Sequence, residues 1–296
     1  MRIFNEKNLT GVVGLTELKK PSVRIFHTAV ILILVMHVVI FLLPLLWLIL
    51  SAFKSTKEFL QIPPTFWPEK FHWEYIPNVW KEANFGNSFY NTFMMAAGGC
   101  FFNITFNGLT GYVLARLKPK GYGILNTLIF WMMLLPGSMT TVPKYMVFTN
   151  FPIGHFSMTN TYLPFWLPAA FNCFNILLFK SFFSGISNSY LEAARIDGCG
   201  NARAFVKIIL PLSKPIVISQ IVFEITGSLN DFFWPLLLMT DDNKKPIALK
   251  LYVLKGKLVQ NEYLLAMLLV TIIAAAIYLI FQKYIMQGIN LGGIKE

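Results

Sequence analysis

The chain has 296 residues, 55% of them hydrophobic and only 13% charged, with a mean hydropathy of +0.58. That balance excludes an ordinary soluble domain and points to an integral membrane protein. The formal charge of +11 does not imply nucleic acid, because Lys and Arg are spread among the loops between apolar stretches and form no basic stripe beside aromatic residues; topology and lipid headgroups account for it.

Residues 1–25 are mostly polar. The apolar run that follows is too long for a signal-peptide core and no small-residue cleavage site comes after it, so the chain is expected to be retained whole. Six stretches then approach the ~20 apolar residues of a spanning helix, at roughly 26–52, 88–115, 122–147, 160–184, 214–239 and 262–286. The first and last are the cleanest. The middle four carry Asn, Gly, Pro and acids, as in "TFMMAAGGCFFNITFNGLTGYVLA", which suits helices packed on one another through small residues.

The short basic link "ARLKPKGYG" and the Lys- and Arg-free link "NFPIGHFSMTN" favour an N-in arrangement with both termini cytoplasmic. The link "TDDNKKPIALKLYVLKGKLVQNE" goes against that rule. Cys100, Cys173 and Cys199 have no CxxC spacing and read as small buried thiols, and His27, His37, His72 and His155 have no metal or catalytic spacing. No Gly-Lys-Ser/Thr nucleotide loop is present, so the chain is not expected to hydrolyse ATP, to carry catalytic residues or to bind a metal or cofactor.

Residues 185–213 break the apolar pattern. Ser189 with Glu192 forms a capping box, the following residues favour helix, and Gly198 can take the left-handed conformation that ends it. Asn201 can cap a second short helix in which Phe205, Ile208 and Ile209 share a face, and Pro211 with Pro215 marks the turn into the next span. The segment reads as an amphipathic knob held against the inner membrane surface.

The order Glu192-Ala193-Ala194, three residues, Gly198, nine residues, Ile208, one residue, Leu210-Pro211 resembles the EAA loop of the membrane subunits of binding-protein-dependent ABC importers. "GSLNDFFWPL", residues 227–236, is similar to the conserved stretch of carbohydrate importer permeases of the maltose-permease type, with Leu229 where tryptophan is usual. The resemblance covers about residues 26–296. It implies an all-α polytopic membrane protein with six transmembrane helices in the ABC type I importer permease fold. Residues 1–25 would be a cytoplasmic N-terminal segment and 26–296 the permease domain, with its coupling loop at about 185–213.

In such a protein Glu192, Ala193, Ala194, Arg195, Asp197, Gly198, Ile208, Leu210 and Pro211 would couple to the ATPase. The implied partners are a sister permease, two ATPase subunits that bind ATP and Mg, and an extracytoplasmic sugar-binding protein in a bacterial or archaeal inner membrane. The implied cargo is a sugar, in particular an oligosaccharide. Glu224, Asn230 and Asp231 are costly inside a span and must face water, the bundle interior or a polar partner. They are candidates for the translocation pathway, and equally for hydrogen-bond and cap residues near a helix break at Pro235. An ion-gradient-driven secondary sugar transporter is the alternative; it would show inverted repeats and broken helices around an ion site. An intramembrane enzyme would need His, Asp or Glu converging from neighbouring spans, and only Glu224 and Asp231 are available.

Overall fold

The computed structural model describes residues 21–290, which are helical with no strand among them. In chain order the elements are α1 (Pro21–Ala52), α2 (Thr56–Phe59), α3 (Tyr75–Glu82) and α4 (Phe85–Phe102). A π-helical turn (Asn103–Asn107), α5 (Gly108–Tyr112) and a second π-helical turn (Val113–Leu117) continue α4 without a break. Then come α6 (Tyr122–Leu134), α7 (Thr141–Thr149), α8 (Leu163–Ala169), α9 (Cys173–Ser184), α10 (Ser189–Ile196) and α11 (Asn201–Ala204). A third π turn (Phe205–Ile209), α12 (Leu210–Leu212), α13 (Lys214–Asn230), α14 (Phe233–Leu238), α15 (Ile247–Leu254) and α16 (Gln260–Asn290) complete the order.

The chain divides into two compact units between Trp73 and Glu74. In the first, the apolar side chains of α1 from Ile31 to Trp47 are nearly all exposed around the whole helix, the surface of a helix solvated by lipid. The segment after α1 is tied by polar groups: Glu58 accepts hydrogen bonds from the Thr65 hydroxyl and the Glu69 amide, both at 3.0 Å. Lys54 donates to the Thr65 carbonyl and lies 4.9 Å from the Trp47 ring centroid.

In the second unit α13 packs on α4 and α16, α5 packs on α9, and α4 packs on α8. Small residues permit these approaches. A Cβ at Gly111 would lie 2.7 Å from the Phe179 Cβ and 2.9 Å from the Lys180 amide nitrogen, so α5 and α9 touch backbone to backbone. Apolar clusters fill the spaces between, with Leu114, Ile129 and Ile176 in one and Phe148, Met158 and Leu238 in another.

Two of the six expected spans are single long apolar helices, α1 and α16. The expected stretch 88–115 is one helical run, 85–117, loosened by its two π turns. The other three differ from straight spans. Within 122–147, α6 and the helical segment Gly137–Thr149 meet at 95°, because Leu135 before Pro136 is driven into an extended conformation (φ −71°, ψ 128°). Within 160–184, α8 and α9 meet at 42°. Within 214–239, α13 stops at Asn230 and α14 resumes at Phe233, and the helical segment Asn201–Leu212 turns through 80° into α13. Residues 1–20 and 291–296, including most of the N-terminal segment set apart from the sequence, lie outside the described residues.

Candidate functional site

The segment 185–213 folds as two short helices around Gly198, whose φ of +73° is the left-handed bend that its missing Cβ allows. The expected capping box does not form. Asn188 occupies the cap position, Ser189 already lies in the first turn with its hydroxyl 2.8 Å from that of Ser187, and no side chain caps the helix. Nor does Asn201 cap α11: it is the first helical residue, and Gly200 precedes it as the cap.

The expected coupling residues separate onto two faces. Glu192, Ala193, Arg195, Asp197, Gly198 and Pro211 are exposed, whereas Ala194 is buried and Ile208 and Leu210 are half-buried. The inward face joins a core made by Tyr112, Phe179, Phe183, Leu191, Phe205 and Ile209. The apolar side of the knob is therefore packed on this chain's own helices, with the Tyr112 and Phe205 ring centroids 5.2 Å apart, and is not left for the membrane surface. The outward face shows Tyr190, Ile196 and Val206 between its charges, with Ile196 86% exposed.

Sequence reasoning assigned Arg116 only to topology. Its guanidinium donates to the backbone carbonyls of Phe183 and Ile186 and to the side-chain oxygen of Asn188, so it closes the root of the loop. Carbonyls at a helix C-terminus lack intrahelical donors and carry partial negative charge, which a forked cation satisfies well.

A cleft of about 330 Å³ lies among α4, α7, α8, α9 and α13. Glu224 and Asp231 both line it, beside Lys144, Asn172, Asn175 and Trp234. Asn230 does not: it is exposed and donates to the Thr226 carbonyl at 2.8 Å. Asp231 stands at the break between α13 and α14, one residue before Phe232 at the cap position of α14, and accepts from the Trp234 amide at 3.4 Å, so it also tethers the first turn of α14. Lys144, Asn172 and Asn175 were not singled out in the sequence, although Asn172 caps α9 at the small break after α8 and Asn175 lies in the first turn of α9.

Behind the cleft runs a buried amide network. Asn103 donates to Gln220 at 3.1 Å and its own oxygen accepts from Asn107 at 2.8 Å and Asn175 at 3.2 Å. Asn107 also donates to the Ala169 carbonyl at 2.8 Å and accepts from the Asn172 amide at 3.0 Å. These bonds satisfy backbone groups freed at the α8–α9 break, which is how a broken helix is tolerated inside a bilayer. The π turn Asn103–Asn107 places both asparagines on that side.

Among the described residues no group of three or more His, Cys, Asp or Glu gathers as metal ligands do. The cleft offers carboxylates, amides, an ammonium and aromatic faces, a set that hydrogen-bonds and stacks polyhydroxylated molecules.

Residues 107–291 match the model of the family described as binding-protein-dependent transport system inner membrane component. Among curated relatives, the diacetylchitobiose uptake system permease protein NgcG of Streptomyces coelicolor is 29% identical over 266 residues, covering 88% of this chain and 86% of the relative. Protein LplC of Bacillus subtilis is 29% identical, covering 92% and 95%. The arabinooligosaccharides transport system permease protein AraQ of Halalkalibacterium halodurans is 27% identical, covering 85% and 90%. The fold matches a chain of a bacterial ABC transporter involved in the import of the acidic polysaccharide alginate, with a TM-score of 0.77 at 22% identity over 90% of this chain and 98% of that one. The all-α polytopic architecture is thus the type I importer permease fold, and the chain belongs to the family of inner-membrane components of binding-protein-dependent transport systems.

Proposed function

We propose that this chain is the membrane-spanning subunit of an ATP-driven importer that carries an oligosaccharide delivered by an extracytoplasmic binding protein. The observation that carries the reading is the two-faced loop at 185–213. Its inner face is locked into the helical core, while Glu192, Arg195, Asp197, Ile196 and Val206 are presented outward, uncovered by any other element among the described residues. Such a face fits a separate ATPase subunit. The small exposed Ala193 lets that surface approach α10 closely.

The complex would contain a sister permease and two ATPase subunits, with ATP and Mg held by the latter, and no cofactor on this chain. Both termini and the 185–213 loop would face the cytoplasm. Closure of the ATPases on ATP would displace the loop and reorient the helices around the cleft. An oligosaccharide as cargo is supported by relatives named for diacetylchitobiose and arabino-oligosaccharide transport and by the amide, carboxylate and aromatic lining of the cleft.

Vesicles holding the assembled complex test this. Sugar uptake is expected to require binding protein outside and ATP inside, and to persist when ion gradients are collapsed. Uptake that needs no ATP and disappears with the ion gradient would instead establish secondary transport.

A further inference from the structure

We propose that Arg116 is a positioning residue that makes the 185–213 loop move as one body with the helical run 85–117, and so couples the loop to the cleft. The inference rests on the coupling role proposed above for that loop. Arg116 lies in the π turn that ends the run, and its three acceptors span the whole root of the loop. Phe183 belongs to the last turn of α9, Ile186 to the link, and Asn188 to the cap of α10. One side chain therefore fixes both ends of the link between the fourth expected span and the loop helix.

The opposite limb of the loop is held from the same turn of helix. Tyr112, one turn before Arg116, packs its ring on Phe205. Residues 112 and 116 thus grip the loop on both sides of the Gly198 bend. The first grip is polar and directional, and the second is apolar and tolerant of sliding. Of the two, only the guanidinium fork fixes the direction of the link, so it decides whether a displacement of the loop is transmitted or absorbed.

The helix so gripped reaches the cleft. Met95 lines the cleft, and Gly99 lies against Glu224, which lines it from α13. Asn103 and Asn107, on the intervening stretch, hold the α8–α9 break on the cleft's other wall. A shift of Arg116 along its helix axis has a continuous packed and hydrogen-bonded route to three walls of the cleft.

The test uses the complete complex, reconstituted with its sister permease, ATPases and binding protein, and reads ATP hydrolysed per sugar taken up. Arg116→Gln is expected to raise that ratio about tenfold, the scale of a typical coupling between sites. Arg116→Lys keeps the charge and loses the fork, and is expected to fall between parent and Gln. Asn188→Ala removes one of the three acceptors and is expected to raise the ratio less than Arg116→Gln. A parental ratio in Arg116→Gln, or hydrolysis and uptake falling together in proportion, overturns the proposal, since a merely structural role lowers only the amount of working complex. Should Arg116→Gln not assemble, Arg116→Lys and Asn188→Ala decide, and parental ratios in both overturn it.

Gly198→Val separates this inference from the reading beneath it, because it strains the loop bend and touches no span. If Gly198→Val leaves uptake and ATPase co-purification normal, the loop itself is not the coupling element. If it uncouples while the Arg116 and Asn188 variants keep the parental ratio, only the role of Arg116 is withdrawn.

Discussion

Glu224 lies directly over Gly99: a Cβ built on that glycine would stand 2.2 Å from the Glu224 Oε1 and 3.1 Å from its Cγ. The contact is between α4 and α13, the pair that closes one side of the cleft. Gly99 is therefore a glycine for space. Gly99→Ala gains helix propensity of about 1 kcal/mol and obliges only the flexible end of Glu224 to move. Assembly is expected to stay at the parental yield while uptake falls, because the carboxylate is displaced within the cleft. Gly99→Leu meets the Glu224 stem as well and is expected to lower the yield of assembled complex. Normal uptake in Gly99→Ala would show that the position of Glu224 does not matter to transport.

The segment after α14 makes a second, electrostatic prediction. Asp242 accepts from Lys250 at 2.8 Å and from Lys245 at 3.0 Å, and these two ammonium groups pull its carboxyl down from 3.8 to about 2. Because the folded value lies below the unfolded one, the pair stabilises the folded segment fully above pH ~4 and loses that contribution as pH falls toward 2. Asp242 is half exposed, so solvent screens much of the effect. Lys250 is buried, and Asp242→Ala leaves its ammonium without a carboxylate. Lower amide protection, relative to the intrinsic exchange rate at each pH, across α15 in Asp242→Ala at pH 7, absent from the parent until strongly acid pH, is the expected result.

How much of this was legible in the sequence depends on whether a feature is local. The uninterrupted apolar helices α1 and α16 were legible from hydropathy alone, since a lipid-facing helix needs only length and apolar residues. So was the bend at Gly198, because a left-handed turn selects its own residue type. The 95° corner after α6 was signalled by Leu135-Pro136-Gly137 and was outweighed by the apolar run around it. The capping box failed because the spacing of Ser189 and Glu192 fits either of two helix starts, and Asn188 took the cap position. Arg116, Asn103 and Asn107 were illegible in their roles. Their partners lie 65 or more residues away on other helices in most of the bonds that matter, and no periodicity within one segment encodes that.

Asp231 is the residue whose two candidate roles the geometry brings together, since it lines the cleft and also accepts from the Trp234 amide at the start of α14. The roles respond to different substitutions. Asp231→Asn keeps an oxygen acceptor in the same place, so the bond to the Trp234 amide and the α13–α14 break survive, and only the charge is removed from the cleft. Complex yield is expected to stay parental and uptake to fall. Asp231→Leu removes the acceptor too, costing about 1 kcal/mol for the lost hydrogen bond to the Trp234 amide. It also sets an apolar side chain among Lys144, Asn172 and Asn175, so both yield and uptake are expected to drop. Measuring yield and uptake for the pair assigns the residue. Parental uptake in Asp231→Asn with a loss of yield confined to Asp231→Leu makes Asp231 a structural acceptor alone, and leaves Glu224 as the other carboxylate lining the cleft to be tested for transport.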